Sequence, residues 1–477
     1  MCIESEDSCK MLALILFLRL ATCSYADKEL FVYPVILQER TTTKNLVMRL
    51  TEDITLNLKK SSILAETLLF VTSNEDSTQL EAVNTTSIEE RLYHDTNHQS
   101  SVMVHQRDGT VQVEGILNSD LRIKPLPEDK RSLQGQILHK IYEVQETKEN
   151  FKYSEKHRRQ YRGKEYEAYM NQKKRTPYEK FVLEVHVLSD RVHNKDFNEN
   201  QELISYLAIM GNAVNLRYLD MKDPAIRIRL VGITRSKHES FAVHNGKTLD
   251  ADKTLDSLVE YYSKGNIPGN PDVLYYITGQ DLSGVEDGKL DTTFTGLAYT
   301  GRLCTTQGVA EGEDIATSYS GTRTMAHELA HTMGASHDKT PQCPWQEGYL
   351  MSYADGGTKK YTLSQCSRDS IRNTLQKVPR RCKMILSSIN YMAHYRRYPG
   401  QKIYDSYYCR AIMGQRNKAT RIIAKKTAEL SMKCKMECCT EINGNDNCVV
   451  VDILEGMLCS PSKTCRRGVC ANHKWPN

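Results

Sequence analysis

Apolar residues recur along this chain with two different periods, and the change of period divides it. Near the start, the runs Glu29 to Leu37, Asn45 to Thr51 and Ile54 to Leu58 alternate apolar and polar positions. A period of two puts alternate side chains on one face, so these runs predict strands of a small β-rich domain. From Asn150 to Arg175 charges and tyrosines crowd together with almost no aliphatic residues, which predicts a solvated linker. Beyond it, Phe181 to Leu188 is apolar on both faces, as a strand in a covered sheet would be. Glu202 to Val214 has helical spacing with Gly211 as a weak point, Ala225 to Val231 alternates, Thr254 to Tyr262 is helical again, and Asp272 to Thr278 returns to strand. That succession predicts an α/β domain, a twisted mixed sheet carrying helices.

Length changes the picture first. A chain of 477 residues exceeds what one core supports, so several modules are expected. Hydrophobic content of 39% and charged content of 26% fit globular domains with polar connections. The one long apolar run, Met11 to Leu18, is too short to span a bilayer but suits the core of a secretory signal. Ser24-Tyr-Ala26 offers small residues for cleavage before Asp27, giving a signal over 1–26; the acidic stretch before Lys10 leaves Met1 and Met11 both open as initiators. No later segment predicts a membrane anchor, and export argues against nucleic acid as a partner. Of fifteen cysteines, none lies between Asp27 and Leu303, and twelve follow from Cys304 onward. An even number in an exported chain reads as disulfides, with zinc binding by the last cluster as the alternative.

Candidate chemistry is concentrated in Thr324-Met-Ala-His-Glu-Leu-Ala-His-Thr-Met-Gly-Ala-Ser-His-Asp338. His327 and His331 are four apart, so on a helix both imidazoles leave one face, one turn apart. Two neutral imidazoles so placed suit zinc, and Glu328 beside them is a carboxylate able to take a proton from water activated by the metal. Gly334 accepts the left-handed backbone that ends a helix, and the turn would bring His337 round as a third nitrogen ligand. Three protein ligands leave a fourth tetrahedral position open, the layout of a catalytic zinc site rather than a structural one. The alternative, a helix carrying two surface histidines near an unrelated third, leaves the fixed register of the three histidines, the glutamate and the glycine to chance.

The run Gly348-Tyr-Leu-Met351-Ser-Tyr353 follows, with Met351 fourteen residues after His337. The long zinc motif followed by a methionine turn resembles the metzincin signature. The resemblance implies that Met351 packs beneath the ligands as a hydrophobic floor; taken alone it would be ordinary core. Thr295-Gly-Leu-Ala-Tyr299, then Cys304, then the zinc helix and His337-Asp338, resembles more narrowly the adamalysin (reprolysin) branch, which includes the ADAM and ADAMTS proteases. This likeness implies a zinc-dependent endopeptidase acting on extracellular matrix or plasma proteins. It implies that Gly296, Leu297 and Ala298 form an edge strand with which a substrate peptide pairs by strand addition. It further implies Asp338 as an acceptor fixing geometry around the ligands, and disulfides Cys304–Cys382 and Cys343–Cys366. A structural calcium is also implied, with Glu184 and Asp281 at the corresponding strand positions, against plain solvated carboxylates. His186, His193, His238 and His244 lack ligand spacing and read as structural or surface residues.

On this reading the catalytic domain spans 176–383, preceded by a β-rich propeptide over 27–175. The linker holds Lys156-His-Arg-Arg159, Arg159-Gln-Tyr-Arg162 and Lys173-Lys-Arg175, targets for proteases that cut at basic sites. Many metzincin propeptides keep the enzyme latent through a cysteine on the zinc. This one has none, so inhibition by it must block the cleft or use another ligand. Asn84-Thr-Thr86 is an acceptor sequence for N-linked sugar. Residues 384–477 form a cysteine-rich tail in which Tyr398 to Asp405, Lys433 to Cys439 and Glu455 to Cys470 resemble the ADAMTS disintegrin-like module. The whole is similar to the secreted salivary metalloproteases of blood-feeding ticks. Eight cysteines between 409 and 470 are enough for four bridges, whose connectivity the sequence leaves open. From 383 onward sixteen Lys/Arg face seven Asp/Glu, a basic surface that could hold sulfated glycosaminoglycan or acidic proteins. The competing reading is a secreted binding module, with the tail engaging a host receptor or matrix and catalysis secondary. A complete triad with Glu328 speaks against it.

Overall fold

A computed structural model of the chain describes residues 29–144, 152–156, 180–383 and 404–473, apart from short loops at 41–44, 75–77, 108, 128–134, 287–288, 414–421, 443–444, 454–455 and 467–468. The signal run 1–26, the basic sites at Arg159, Arg162 and Arg175, and most of the segment from Tyr398 lie outside the described residues.

The main sheet has eight strands, here β1 (Leu64–Ser73), β2 (Thr78–Asn84), β3 (Lys152–Lys156), β4 (Lys180–Ser189), β5 (Ala225–Ser236), β6 (Val273–Thr278), β7 (Phe294–Tyr299) and β8 (Val309–Glu313). They lie in the order β3-β7-β8-β6-β4-β5-β1-β2, with only the β7/β8 and β1/β2 pairs antiparallel. Helices cover both faces: α1 (Asn200–Leu216), α2 (Ala251–Ser263), α3 (Thr322–Thr332) and α4 (Gln365–Lys377). Alternate strand residues divide between two cores. Val185, Val187, Tyr275 and Ile277 pack with α1 and α3, whereas Leu188, Leu274, Tyr276 and Val309 pack with Leu255 and Leu258 of α2. A sheet buried on both faces explains why β4 and β6 read as continuous apolar runs.

A second, nine-stranded sheet is built entirely from strands between Leu30 and Glu143 around Met48, Leu56, Leu58, Val102 and Val113. The expected strand from Glu29 to Leu37 is split into Leu30–Val32 and Val35–Arg40. Pro34, in the gap, lacks the N–H a ladder needs.

The expectation of a separate β-rich domain requires a larger correction. Strands β1 and β2 belong to the main eight-stranded sheet, with β1 running parallel to β5 in a ladder that pairs Gly232 with Leu69 and Ser236 with Ser73. The stretch expected to be solvated linker also supplies β3, which pairs with β7. Periodicity identifies a strand but carries no label for the sheet it joins.

The tail forms two three-stranded sheets bridged by Cys409–Cys438, Cys434–Cys465, Cys439–Cys448 and Cys459–Cys470. It meets the domain of the main sheet where the Lys433 ammonium donates to the Lys264 carbonyl at 2.9 Å. Among the described residues, no helix is long and apolar enough to cross a membrane.

Candidate metal centre

Every residue of α3 is buried, so the helix lies inside the domain rather than on it. Its start is held by Asp314. Oδ1 accepts the N–H of Gly321, the residue capping α3, at 2.7 Å, while Oδ2 meets the Tyr206 hydroxyl at 2.5 Å and His193 Nε2 at 2.9 Å. A carboxylate at a helix N-terminus also suits the helix dipole. The helix ends where Gly334 takes φ +103, and a Cβ there would lie 2.0 Å from Thr374 Oγ1 of α4. Glycine is required twice over, for the backbone and for the approach of α4.

That turn carries the chain back to His337. The three Nε2 atoms converge: His337 lies 3.0 Å from His327 and 3.2 Å from His331. Each Nδ1 is already engaged. His327 meets the Leu350 carbonyl at 2.8 Å, His331 the Ala335 carbonyl at 2.7 Å, and His337 the Tyr353 hydroxyl at 2.7 Å. Carbonyl acceptors place the protons of His327 and His331 on Nδ1 and leave both Nε2 lone pairs pointing inward. Burial first, then the His331 and His337 imidazoles, hold His327 well below the usual histidine range, so it stays a neutral ligand. A tetrahedral zinc with nitrogens at 2.0–2.1 Å needs them about 3.3 Å apart. The donor set fits zinc.

Glu328 is fully buried on the same helix. Its place is set from the sheet: a Cβ added to Gly296 would lie 2.9 Å from Glu328 Cγ and Oε1 and 2.7 Å from Thr324 Cγ2. Gly312, the partner of Gly296 across β7 and β8, shows the same closeness to Thr324, at 2.8 Å. Two facing glycines therefore let α3 settle onto the sheet. Met351 is fully buried, and its carbonyl accepts the Asp338 N–H at 2.9 Å. Asp338 in turn accepts from the Ser364 hydroxyl at 2.5 Å. Burial raises the Asp338 carboxyl above its ordinary range, with the Ser364 and Ser367 hydroxyls opposing.

Leu297 and Ala298 lie in β7 as expected of an edge strand, but β7 is not open. β3 runs parallel along it, pairing Tyr153 with Gly296, Ser154 with Leu297 and Glu155 with Ala298. Cys304 is bonded to Cys382 and Cys343 to Cys366. Asn84 is exposed at the end of β2. His186 and His193 are buried away from the triad, against Thr234 and Asp314.

The paired calcium positions are corrected by the fold. Val185 faces Val273, so the residue beside Glu184 is Asp272, whose Oδ2 accepts the Glu184 N–H at 2.9 Å. Asp281 comes after the other end of β6, a strand of about 20 Å. Counting along the chain could not choose between two aspartates flanking one strand. Tyr353 and the Leu350 and Ala335 carbonyls had no role in the sequence reading. Tyr353 lay inside the methionine motif, but its reach to His337 depends on a turn that only the fold supplies.

A buried three-histidine centre with a carboxylate on the same helix defines the class: the enzyme is a metalloendopeptidase. Residues 180–385 match the Reprolysin (M12B) family zinc metalloproteases, and this segment is a reprolysin-type metzincin domain. The chain is 25% identical over 326 residues to a venom metalloproteinase antarease-like protein of Tityus trivittatus, covering 62% of this chain and 80% of that protein. It is 28% identical over 337 residues to the venom metalloproteinase BumaMPs1 of Olivierus martensii, covering 68% and 84%. Among solved structures, metalloproteinase-II from Bacteroides fragilis aligns over 76% of this chain and 95% of its own at 15% identity, with a TM-score of 0.35.

Proposed function

We propose that this chain is a secreted zymogen of a zinc endopeptidase that cuts extracellular matrix or plasma proteins. The observation that carries the reading is the convergence of Nε2 of His327, His331 and His337 next to Glu328. A zinc ion held there would lower the pKa of water and polarise the scissile carbonyl. Glu328 takes the proton of the attacking water and delivers it to the leaving amine. The carbonyls of Leu350 and Ala335 keep His327 and His331 in the tautomer that ligation needs. Met351 floors the site, and Asp338 ties the chain after His337 to the methionine turn. A substrate strand pairs with Gly296, Leu297 and Ala298.

Two further features support the zymogen reading. β3 lies where that substrate strand would pair, which gives the cysteine-free propeptide a way to block the cleft, and the basic sites follow directly after it. Both relatives are venom metalloproteinases, which agrees with the apolar run at Met11 to Leu18 in supporting export. The tail is read as a disintegrin-like module that docks substrates, and Asn84 as a sugar acceptor.

The deciding experiment is hydrolysis of a denatured matrix protein by the processed chain, with and without a zinc chelator, beside Glu328→Gln. Turnover lost in both controls, with zinc retained by the variant, is the expected result. A Gln enzyme with normal turnover removes the general base, and no cleavage by folded, zinc-loaded, processed protein removes the protease reading.

A further inference from the structure

We infer that the propeptide body, residues 30–144, stays bound when the basic linker is cut, so the processed form is a two-chain complex; β3 remains joined to that body by the chain, and catalysis then requires β3 alone, not the body, to leave β7. That a cut occurs in the linker belongs to the zymogen reading above; what becomes of the pieces does not.

The body does not merely lie on the catalytic domain. It completes the sheet and the core. β1 adds to the edge of β5 over its second half, from Leu230 to Ser236, and the N–H groups of Leu230 and Lys237 donate to the Ile63 and Ser73 carbonyls, each at 2.8 Å. Ile63, Leu64, Leu68, Phe70, Leu92 and Ile116 belong to the same buried cluster as Leu207, Met210, Val214 and Leu230 of the catalytic domain. Releasing the body would return these side chains to water and open β5, a strand of twelve residues, as a bare edge.

Helix α1 carries the same message in its own burial. Every residue from Leu203 to Leu216 except Ser205 is buried, so no broad face of the helix is made for solvent. The propeptide covers one side of it. The Ser101 hydroxyl donates to the Ile209 carbonyl at 2.7 Å, and the Asn212 amide donates to the Tyr93 carbonyl at 3.2 Å and to Ser101 Oγ at 2.9 Å. A Cβ on Gly211 would stand 3.2 Å from Ile63 Cγ1, and one on Gly115 would stand 3.2 Å from Ile209 Cγ2. The glycine that looked like a weak point in the helix is where Ile63 of the body packs against it. Further along, fully buried Arg122 donates through Nε to the Ser318 carbonyl at 2.8 Å, in the loop leading to α3.

Buried polar groups that find partners only across this boundary would be left unpaired by separation. No disulfide joins the two parts, since no cysteine lies between Asp27 and Leu303, so after a cut they are held by non-covalent contacts alone, this interface chief among them.

The test is limited trypsin cleavage of the folded full chain within 157–175, followed by size-exclusion chromatography in native buffer and then in denaturant. The expected result is a single native peak holding both pieces, which separate only in denaturant. Hydrogen exchange on the cut material gives a second reading: the amides of Leu230 in β5 and of Lys237 just after it should stay as protected as in the intact chain. Separation of the pieces in native buffer, or loss of that protection on cutting, overturns the inference. Neither readout needs catalysis. A co-eluting complex without zinc-dependent hydrolysis counts against the protease reading and leaves this one standing.

Discussion

Gly296 and Glu328 are in such close contact that no side chain fits between them. A Cβ at position 296 would stand 2.9 Å from both Cγ and Oε1 of the carboxylate, so the strand that is proposed to receive substrate also sets the position of the proposed base. The proposed substrate edge and the proposed proton acceptor are thus in direct packing contact. Gly296→Ala should push Glu328 aside and lower kcat/KM by about 10²-fold, the scale expected when a catalytic group is misplaced by about 1 Å. Zinc content should stay at one per chain, because no ligand is touched. Steady-state peptide hydrolysis alongside metal analysis checks this, and unchanged turnover would separate the two roles.

Tyr353 supplies the partner of His337 Nδ1 at 2.7 Å, the one Nδ1 in the triad held by a side chain instead of a carbonyl. Tyr353→Phe keeps the ring and removes that partner. Zinc affinity should fall roughly 10–100-fold, the usual cost of losing a group that orients a ligand. Competition against a chelator of known affinity measures it; an unchanged affinity would mean that packing alone orients His337.

His186 should make stability sensitive to acid. It is fully buried, and burial pushes its pKa down to about 3. In the unfolded chain it binds a proton near pH 6.5, whereas in the native protein it does not until about pH 3. Between these values the unfolded state holds more protons, so stability is fully present above the unfolded pKa and declines as pH falls. The slope from this one group reaches about 1.4 kcal/mol per pH unit. Urea unfolding of the Glu328→Gln protein, which cannot digest itself on this reading, at neutral and mildly acidic pH should show the decline. Adding His186→Gln should flatten it; an equal slope in both would assign the effect to other groups.

The Cys304–Cys382 bridge closes a loop of 78 residues that contains the whole of α3 and the methionine turn. Replacing both cysteines with serine should cost roughly 4 kcal/mol of stability by loop-closure entropy. Denaturant titration of the double variant reads this directly, and a midpoint unmoved from that of the parent would show that the unfolded chain is not constrained by the bridge.

Local chemistry made much of the centre legible in advance. The four-residue spacing of His327 and His331 defines one helical face, and Gly334 marks the end of that helix, because helix geometry is a property of neighbouring residues. The strands β4, β5 and β6 and the helices α1 and α2 were readable for the same reason. Sequence was weaker wherever a contact joins distant segments. It paired Glu184 with Asp281, whereas the register of β4 against β6 brings Asp272 beside Glu184. It read the region before the linker as its own domain, whereas β1 and β2 extend the catalytic sheet and β3 closes its other end.

The sequence by itself determined the ligand set, the chemistry that set can support and the periodicity of the elements that carry it. Tertiary structure alone decided that Tyr353 reaches His337, that Gly296 abuts Glu328, and that β1 and β2 are built into the main sheet and its core. Backbone N–H and C=O groups are the same at every residue, so a strand's pattern states which face is apolar but not which edge it will join.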